Sequence, residues 1–272
     1  MKGDLVFKKR TLVMGIINVS PDSFYEGSRV HETGCAVERA LLFEDLGADI
    51  IDIGGESTRP GSGEITTEEE KRRVLPVLEG IRKRSSITLS VDTYKPEVAA
   101  EAVDCGAEIV NDISGLSFDN GLEDVVAKAG VYIVLMHIRG RPSDMQQHVG
   151  YDDVVDEVSQ ELDRSIGKAV LSGIGKDRII IDPGIGFAKT AAQNVEILKN
   201  LPKLKTKGYP LLVGLSRKSF LGKYTGLEPE NRLVPTIAAN AIAILLGADI
   251  IRVHDVREAS ETVKIVDAIK HS

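Results

Sequence analysis

Three short strings constrain this chain more than any other feature: GADIIDIG at 47–54, GAEIVNDI at 106–113 and GADIIRVH at 247–254. Each places a glycine where a helix needs a left-handed residue to stop, then a β-branched run suited to a strand buried on both faces. A helix-to-strand junction written three times points to a repeating architecture. The same reading extends to eight apolar strand candidates, beginning near residues 11, 48, 87, 107, 131, 178, 210 and 248. Helices are expected over 34–46, 67–83, 96–104, 152–172, 194–200 and 235–246, the second opened by a Thr67/Glu70 capping box. Eight alternating units without a hairpin signal predict a single-domain (β/α)8 TIM barrel over 1–272, an α/β fold, with an open doubly wound sheet as the alternative.

Composition narrows the ligands. With 34 Lys and Arg against 41 Asp and Glu the net charge is −7, the wrong sign for a generic nucleic-acid binder, so an anionic ligand needs a local basic pocket. No apolar run reaches the roughly 18 residues of a membrane helix. MKGDLVFKKR lacks the apolar centre of a secretion signal, and Cys35 and Cys105 form no CxxC pair, so a reduced, cytoplasmic protein is expected. There is no HExxH for zinc, no GxGxxG after a strand, no GxxxxGK[ST] and no GxSxG elbow. Any phosphate must be held in the manner of a barrel rim.

In a parallel barrel the residues just beyond each strand share one mouth, where barrel enzymes do their chemistry. Here those positions read Asn18 and Asp22, then Glu56 to Arg59, Asp92, Asn111 and Asp112, His137 and Arg139, Asp182, Lys218, and finally Arg252, His254 and Asp255. A lone Asp after a strand is commonly only a helix cap. Asp92, Asn111 and Asp182 together offer carboxylates and an amide, the complement of a flat heterocycle edge such as an aminopyrimidinone, with a strand-end hydrogen-bond network as the plainer alternative. Lys218, Arg252, His254 and Arg59 offer donors to a multiply charged anion, although Arg59 on its glycine-rich loop also reads as solvated charge. Asn18 offers a neutral oxygen to Mg2+, an ion that keeps most of its waters and leans on substrate phosphate.

The strings MGIINVSPDSF, GGESTRPG, SVDT, NDISG, DPGIGF, SRKSF and RVHDV occur in the order found in the dihydropteroate synthase family, which the chain resembles over roughly residues 12–268. The resemblance implies a (β/α)8 barrel, commonly a homodimer, that uses Mg2+ and joins a dihydropterin methyl diphosphate to 4-aminobenzoate in folate biosynthesis. It implies pterin-binding roles for Asp92, Asn111, Asp182 and Lys218, with Met136 packed against the ring, and diphosphate and Mg2+ roles for Asn18, Arg252 and His254. Phe24, Thr58, Arg59, Pro60 and Ser219 match positions that form or close the aminobenzoate pocket. Asp92, Asp182, Lys218, Arg252 and His254 are the expected catalytic set, with neither nucleic acid nor membrane as partner. The first loop departs from the family: SFYEGS replaces the usual SFSDGG, so Glu26 stands for an Asp and Ser28 for a Gly. Three other readings stay open. They are a methyltetrahydrofolate barrel of the corrinoid type, which has no need of STRPG or SRKSF, a Schiff-base aldolase on Lys218, and a pterin-binding homologue without turnover.

Overall fold

The computed structural model describes residues 10–19, 29–58, 61–118 and 121–271. Eight strands, β1 (Leu12–Asn18), β2 (Ile50–Gly54), β3 (Thr88–Asp92), β4 (Ile109–Asp112), β5 (Tyr132–Met136), β6 (Ile179–Asp182), β7 (Leu212–Gly214) and β8 (Ile250–Val253), form one parallel sheet in the order β6-β5-β4-β3-β2-β1-β8-β7. The sheet closes on itself, because Ile181 pairs with Leu211 in parallel and the Ile181 N–H donates to the Pro210 carbonyl at 2.9 Å. The barrel expected from the repeats is therefore present, and the open sheet is not.

Between the strands run α1 (Arg29–Asp45), α2 (Thr67–Arg82), α3 (Pro96–Asp104), α4 (Leu122–Ala129), α5 (Val154–Leu171), α6 (Ala191–Lys199), α7 (Leu201–Lys205), α8 (Ser219–Thr225), α9 (Leu233–Leu245) and α10 (Val256–His271). The repeat glycines do what the sequence asks of them: Gly47, Gly106 and Gly247 have φ of 96°, 98° and 108°, values an L side chain resists. The cap of α2 needs correction. Thr66, not Thr67, accepts the Glu69 N–H, while Glu70 turns inward and is fully buried against Lys95. The helices α4, α7, α8 and α10 lie where the sequence reading places none; the first three are eight residues or shorter, too brief for a clear 3.6-residue period. The reciprocal Thr190/Gln193 box that opens α6 went unread and starts that helix earlier than expected. Among the described residues no helix is long and apolar enough to cross a membrane.

Inward-facing positions alternate along each strand, and they climb from apolar to polar. Leu12, Met14, Ile50, Ile109, Tyr132, Val134, Ile180, Leu212 and Ile250 pack as one buried cluster in the lower barrel. Two residues further along the same faces stand Asp52, Asn111, Asp182 and Arg252, and β3 contributes Ser90 and then Asp92. The helices seal the outer faces of the strands through a second, larger apolar layer. On α9, Thr236, Ala239, Asn240, Ala243 and Ile244 are buried while Ile242 and Leu245 are exposed, so this apolar helix serves the core on one side only.

Candidate functional site

At the carboxyl end of the barrel Arg252 reaches across the interior. Its Nε donates to Asp52 Oδ2 at 2.6 Å and its Nη2 to Asp92 Oδ2 at 2.6 Å, tying β8 to β2 and β3. Asn111 Nδ2 donates to the same Asp52 oxygen at 3.0 Å. One carboxylate thus orients both the amide and the guanidinium, and Asp52 Oδ1 remains without a hydrogen-bond partner although buried. Sequence reasoning missed Asp52; the signal was its parity, since it follows inward-facing Ile50 by two residues and is polar where a structural strand would stay apolar.

Asp182 ends β6, buried, and its Oδ1 accepts the Gly184 N–H at 2.7 Å. Lys218, the residue just before α8, directs Nζ to the Ile185 carbonyl and over the Phe187 ring, 4.7 Å from its centre. Met136 lies in an apolar cluster with Tyr94, Ile113, Ile138, Met145 and Ala188, against which Phe118 and Phe187 pack. Asp92, Asn111, Asp182, Lys218 and Arg252 are therefore brought to one polar ring beside an apolar wall.

Burial dominates the electrostatics of this ring. It pushes Asp92 up to about 7 despite Arg252, with Asp52, Glu70 and Asp112 adding to the rise. Asp182 is also raised by burial, opposed by Lys218, the Gly184 N–H and Arg252. Burial thus opposes the anionic form of both carboxylates. Burial pulls Lys218 down to about 8, against the attraction of Asp182 and Asp92. Arg252 goes the other way, raised by Asp52 and Asp92 against desolvation.

His254 sits after β8 with Nδ1 3.0 Å from Ser216 Oγ, an oxygen that already accepts the His254 backbone N–H at 3.2 Å. The hydroxyl, with one proton and a second lone pair to offer, holds Nδ1 and fixes the plane of the ring. Burial and Arg252 pull this imidazole down to about 4, so it is neutral at pH 7. Asn18 is exposed at the end of β1, near Gly54 and Asp92. Among the described residues no three His, Cys, Asp or Glu side chains gather to cage a metal.

The second loop leaves β2 from a braced base. Glu56 accepts the Ile65 N–H at 3.0 Å, the Tyr94 hydroxyl at 2.7 Å and Lys95 Nζ at 2.5 Å, which also reaches Glu70 at 2.5 Å. Gly61 N–H donates to the Pro142 carbonyl at 3.0 Å and Arg141 pairs with Glu64 at 2.6 Å, joining this loop to the one after β5. Thr58 is half-buried and Ser219 exposed on α8. Asp22, Phe24, Glu26, Ser28, Arg59 and Pro60 lie outside the described residues. The remaining strand-end residues are engaged elsewhere. Asp112 faces outward and accepts the Ser114 and Leu116 N–H groups, Arg139 pairs with Glu157 and Glu161, and Asp255 pairs with Arg217.

Residues 14–254 match the pterin binding enzyme family. The chain is 45% identical to the dihydropteroate synthase of Synechocystis over 96% of its own length and 91% of that protein. It is 45% identical to the Escherichia coli dihydropteroate synthase over 94% and 90%. A solved structure of the Xanthomonas albilineans dihydropteroate synthase with 4-aminobenzoic acid superimposes with a TM-score of 0.92 at 44% identity, covering 98% of this chain and 96% of that one.

Proposed function

Because the chain belongs to the dihydropteroate synthases, transferases of folate biosynthesis within the pterin binding enzymes, we propose that its polar ring carries the condensation of 6-hydroxymethyl-7,8-dihydropterin diphosphate with 4-aminobenzoate, giving 7,8-dihydropteroate and pyrophosphate. The observation that carries this assignment of residues is the convergence of Asp92, Asn111, Asp182 and Lys218, from four βα units, beside Met136 and Phe187. A flat bicycle edged with alternating donors and acceptors is matched by that set, and its face by the apolar wall.

In the reaction the bond between the exocyclic methylene and the diphosphate oxygen breaks, and its electron pair leaves with the diphosphate. The amine nitrogen then bonds to the methylene and releases a proton. Arg252 and the His254 ring face the charge that grows on the leaving group, while Asp92 and Asp182, ionised, favour the pterin cation over the neutral ring. Phe24, Thr58, Arg59, Pro60 and Ser219 hold the arylamine and keep water from the cation.

The donor set fits Mg2+ of one kind only: with the neutral Asn18 oxygen and no carboxylate cage among the described residues, the ion would be held by Asn18, water and substrate phosphate. When bound, it supplies charge neutralisation at the diphosphate. A homodimer is proposed from the exposed Val234, Ile242 and Leu245 of α9 beside Ile265 and Ile269 of α10, apolar side chains that a second copy would cover. The cytoplasm is the proposed compartment, in keeping with two cysteines that form no CxxC pair.

The test is dihydropteroate formation from the two substrates, with Mg2+ and then with chelator, in wild type and Lys218→Ala. Metal-dependent product that disappears in the variant supports the reading. Tight diphosphate binding without product in wild type would overturn it in favour of a homologue without turnover. Sedimentation at micromolar concentration checks the dimer.

A further inference from the structure

The segment that joins β6 to α6 carries a buried lysine with no place in the chemistry above. Lys189 is buried, and its Nζ reaches the Gly184 carbonyl at 3.1 Å, the Phe187 carbonyl at 3.0 Å and His137 Nδ1 at 2.9 Å. These are three acceptors for the three protons of an ammonium. An ammonium has no lone pair, so Nδ1 accepts, the His137 proton sits on Nε2, and Nε2 donates to Glu161 Oε2 at 2.8 Å. Arg139 holds the same carboxylate through two nitrogens, at 3.1 and 2.5 Å. A directed chain therefore runs from the buried Lys189 ammonium, through a neutral imidazole, to a carboxylate on α5 that borders a cavity of about 420 Å3.

The inner end of that chain matters because of what the segment carries. Ile185 supplies the carbonyl that Lys218 grips, Phe187 supplies the ring beneath Lys218 Nζ, and Gly184 N–H binds Asp182. The segment also packs so closely on β5 that a Cβ on Gly184 would lie 1.9 Å from the His137 carbonyl oxygen. From its other side Asn194 accepts the Gly186 N–H at 2.6 Å. Burial draws Lys189 down to about 7, Asp182 holds it up, and Lys218 pushes it down. Burial and Lys189 also draw His137 down to about 4, with Glu161 opposing and Arg139 adding to the fall, which agrees with the neutral ring in the chain.

We propose that Lys189 is a positioning residue for the pterin half-site: its three hydrogen bonds fix the Gly184–Phe187 backbone and the His137 tautomer, and through them the aim of Lys218 and the setting of Asp182. This rests on the assignment of the pterin half-site to that ring. Its prediction is selective, because the hydrogen bonds of the Lys189 ammonium and the His137 ring go to Gly184, Phe187 and Glu161 and to no described residue of the second loop.

The experiment compares wild type with Lys189→Met, which keeps length and loses all three donors, and with His137→Gln, which leaves Lys189 in place and disturbs the imidazole alone. Lys189→Met is expected to raise the KM for pterin diphosphate at least about tenfold, the scale of a misplaced binding group, with the KM for 4-aminobenzoate within about twofold. His137→Gln is expected to shift the same KM in the same direction by a smaller factor. Equal losses for both substrates, a change in kcat alone, or pterin KM within about twofold in both variants would overturn the proposal. Failure of both variants to fold, seen by circular dichroism, would also overturn it, since the network would then hold the barrel rather than the site. Should wild type bind pterin diphosphate without forming product, calorimetric binding of that diphosphate to the variants still reads this proposal while the catalytic reading fails.

Discussion

The lower and upper layers of the barrel interior are built on the same strands, two residues apart, yet they are opposites. Ile50, Ile109, Ile180 and Ile250 fill the lower layer with aliphatic volume, while Asp52, Asn111, Asp182 and Arg252 occupy the matching positions above. Below, burial is favourable at about 25 cal/mol for each Å2 of apolar surface. Above, burial opposes the charged forms, which is why Asp92 and Asp182 are raised and Lys218 is lowered. Stability is made in one layer and placed under strain in the next, an arrangement expected where charged groups await a charged or dipolar ligand.

The largest expected effect lies in the upper layer. Asp92→Asn should lower kcat/KM by about 1000-fold, equivalent to about 4 kcal/mol, in steady-state assays. The same substitution should raise the melting temperature of the ligand-free protein at pH 8. A carboxyl raised to about 7 favours the folded state most at low pH and loses that contribution as pH rises through 7, so removing the ionisable group helps most on the alkaline side. In wild type kcat/KM should climb as pH rises through about 7, and a flat profile would break the assignment of an ionised Asp92.

Ile50→Ala in the lower layer should invert that pattern. It should cost about 2–5 kcal/mol of stability, read by denaturant titration, with activity at 20 °C kept within about threefold. Collapse of activity in a folded Ile50→Ala protein would mean that the layers do not divide the work.

A smaller effect is expected at His254, where Gln keeps an N–H donor and should reduce kcat/KM roughly tenfold. With its imidazole drawn down to about 4, His254 contributes no limb between pH 5 and 8, so the variant should keep the wild-type profile near 7. As a base with a lowered value, it weakens folding as pH falls from about 6.5 toward 4. Smallest of all, Thr66→Ala should cost about 1 kcal/mol through the lost α2 cap, with kinetics unchanged.

Barrel geometry sends every strand end to one mouth, so Asp92, Asn111, Asp182, Lys218, Arg252 and His254 were legible as mouth residues from position, and their roles only through the family resemblance. Asp52 and Lys189 were not, for different reasons. Asp52 precedes the end of its strand and looks like part of a buried run, while Lys189 looks like a solvated loop lysine until its three acceptors, from two segments, are seen around it.

The sequence by itself determined an eight-unit parallel α/β fold, because the repeated glycine stops and β-branched runs are local signals; closure into a barrel came from the Ile181–Leu211 pairing. It also determined which residue types collect at the mouth. Only the tertiary structure decided how they pair, that Arg252 bridges Asp52 and Asp92, that His254 is held by Ser216, and that Lys189 is buried against Gly184, Phe187 and His137. Those properties depend on burial and on partners up to 200 residues away in the chain, which local sequence does not encode.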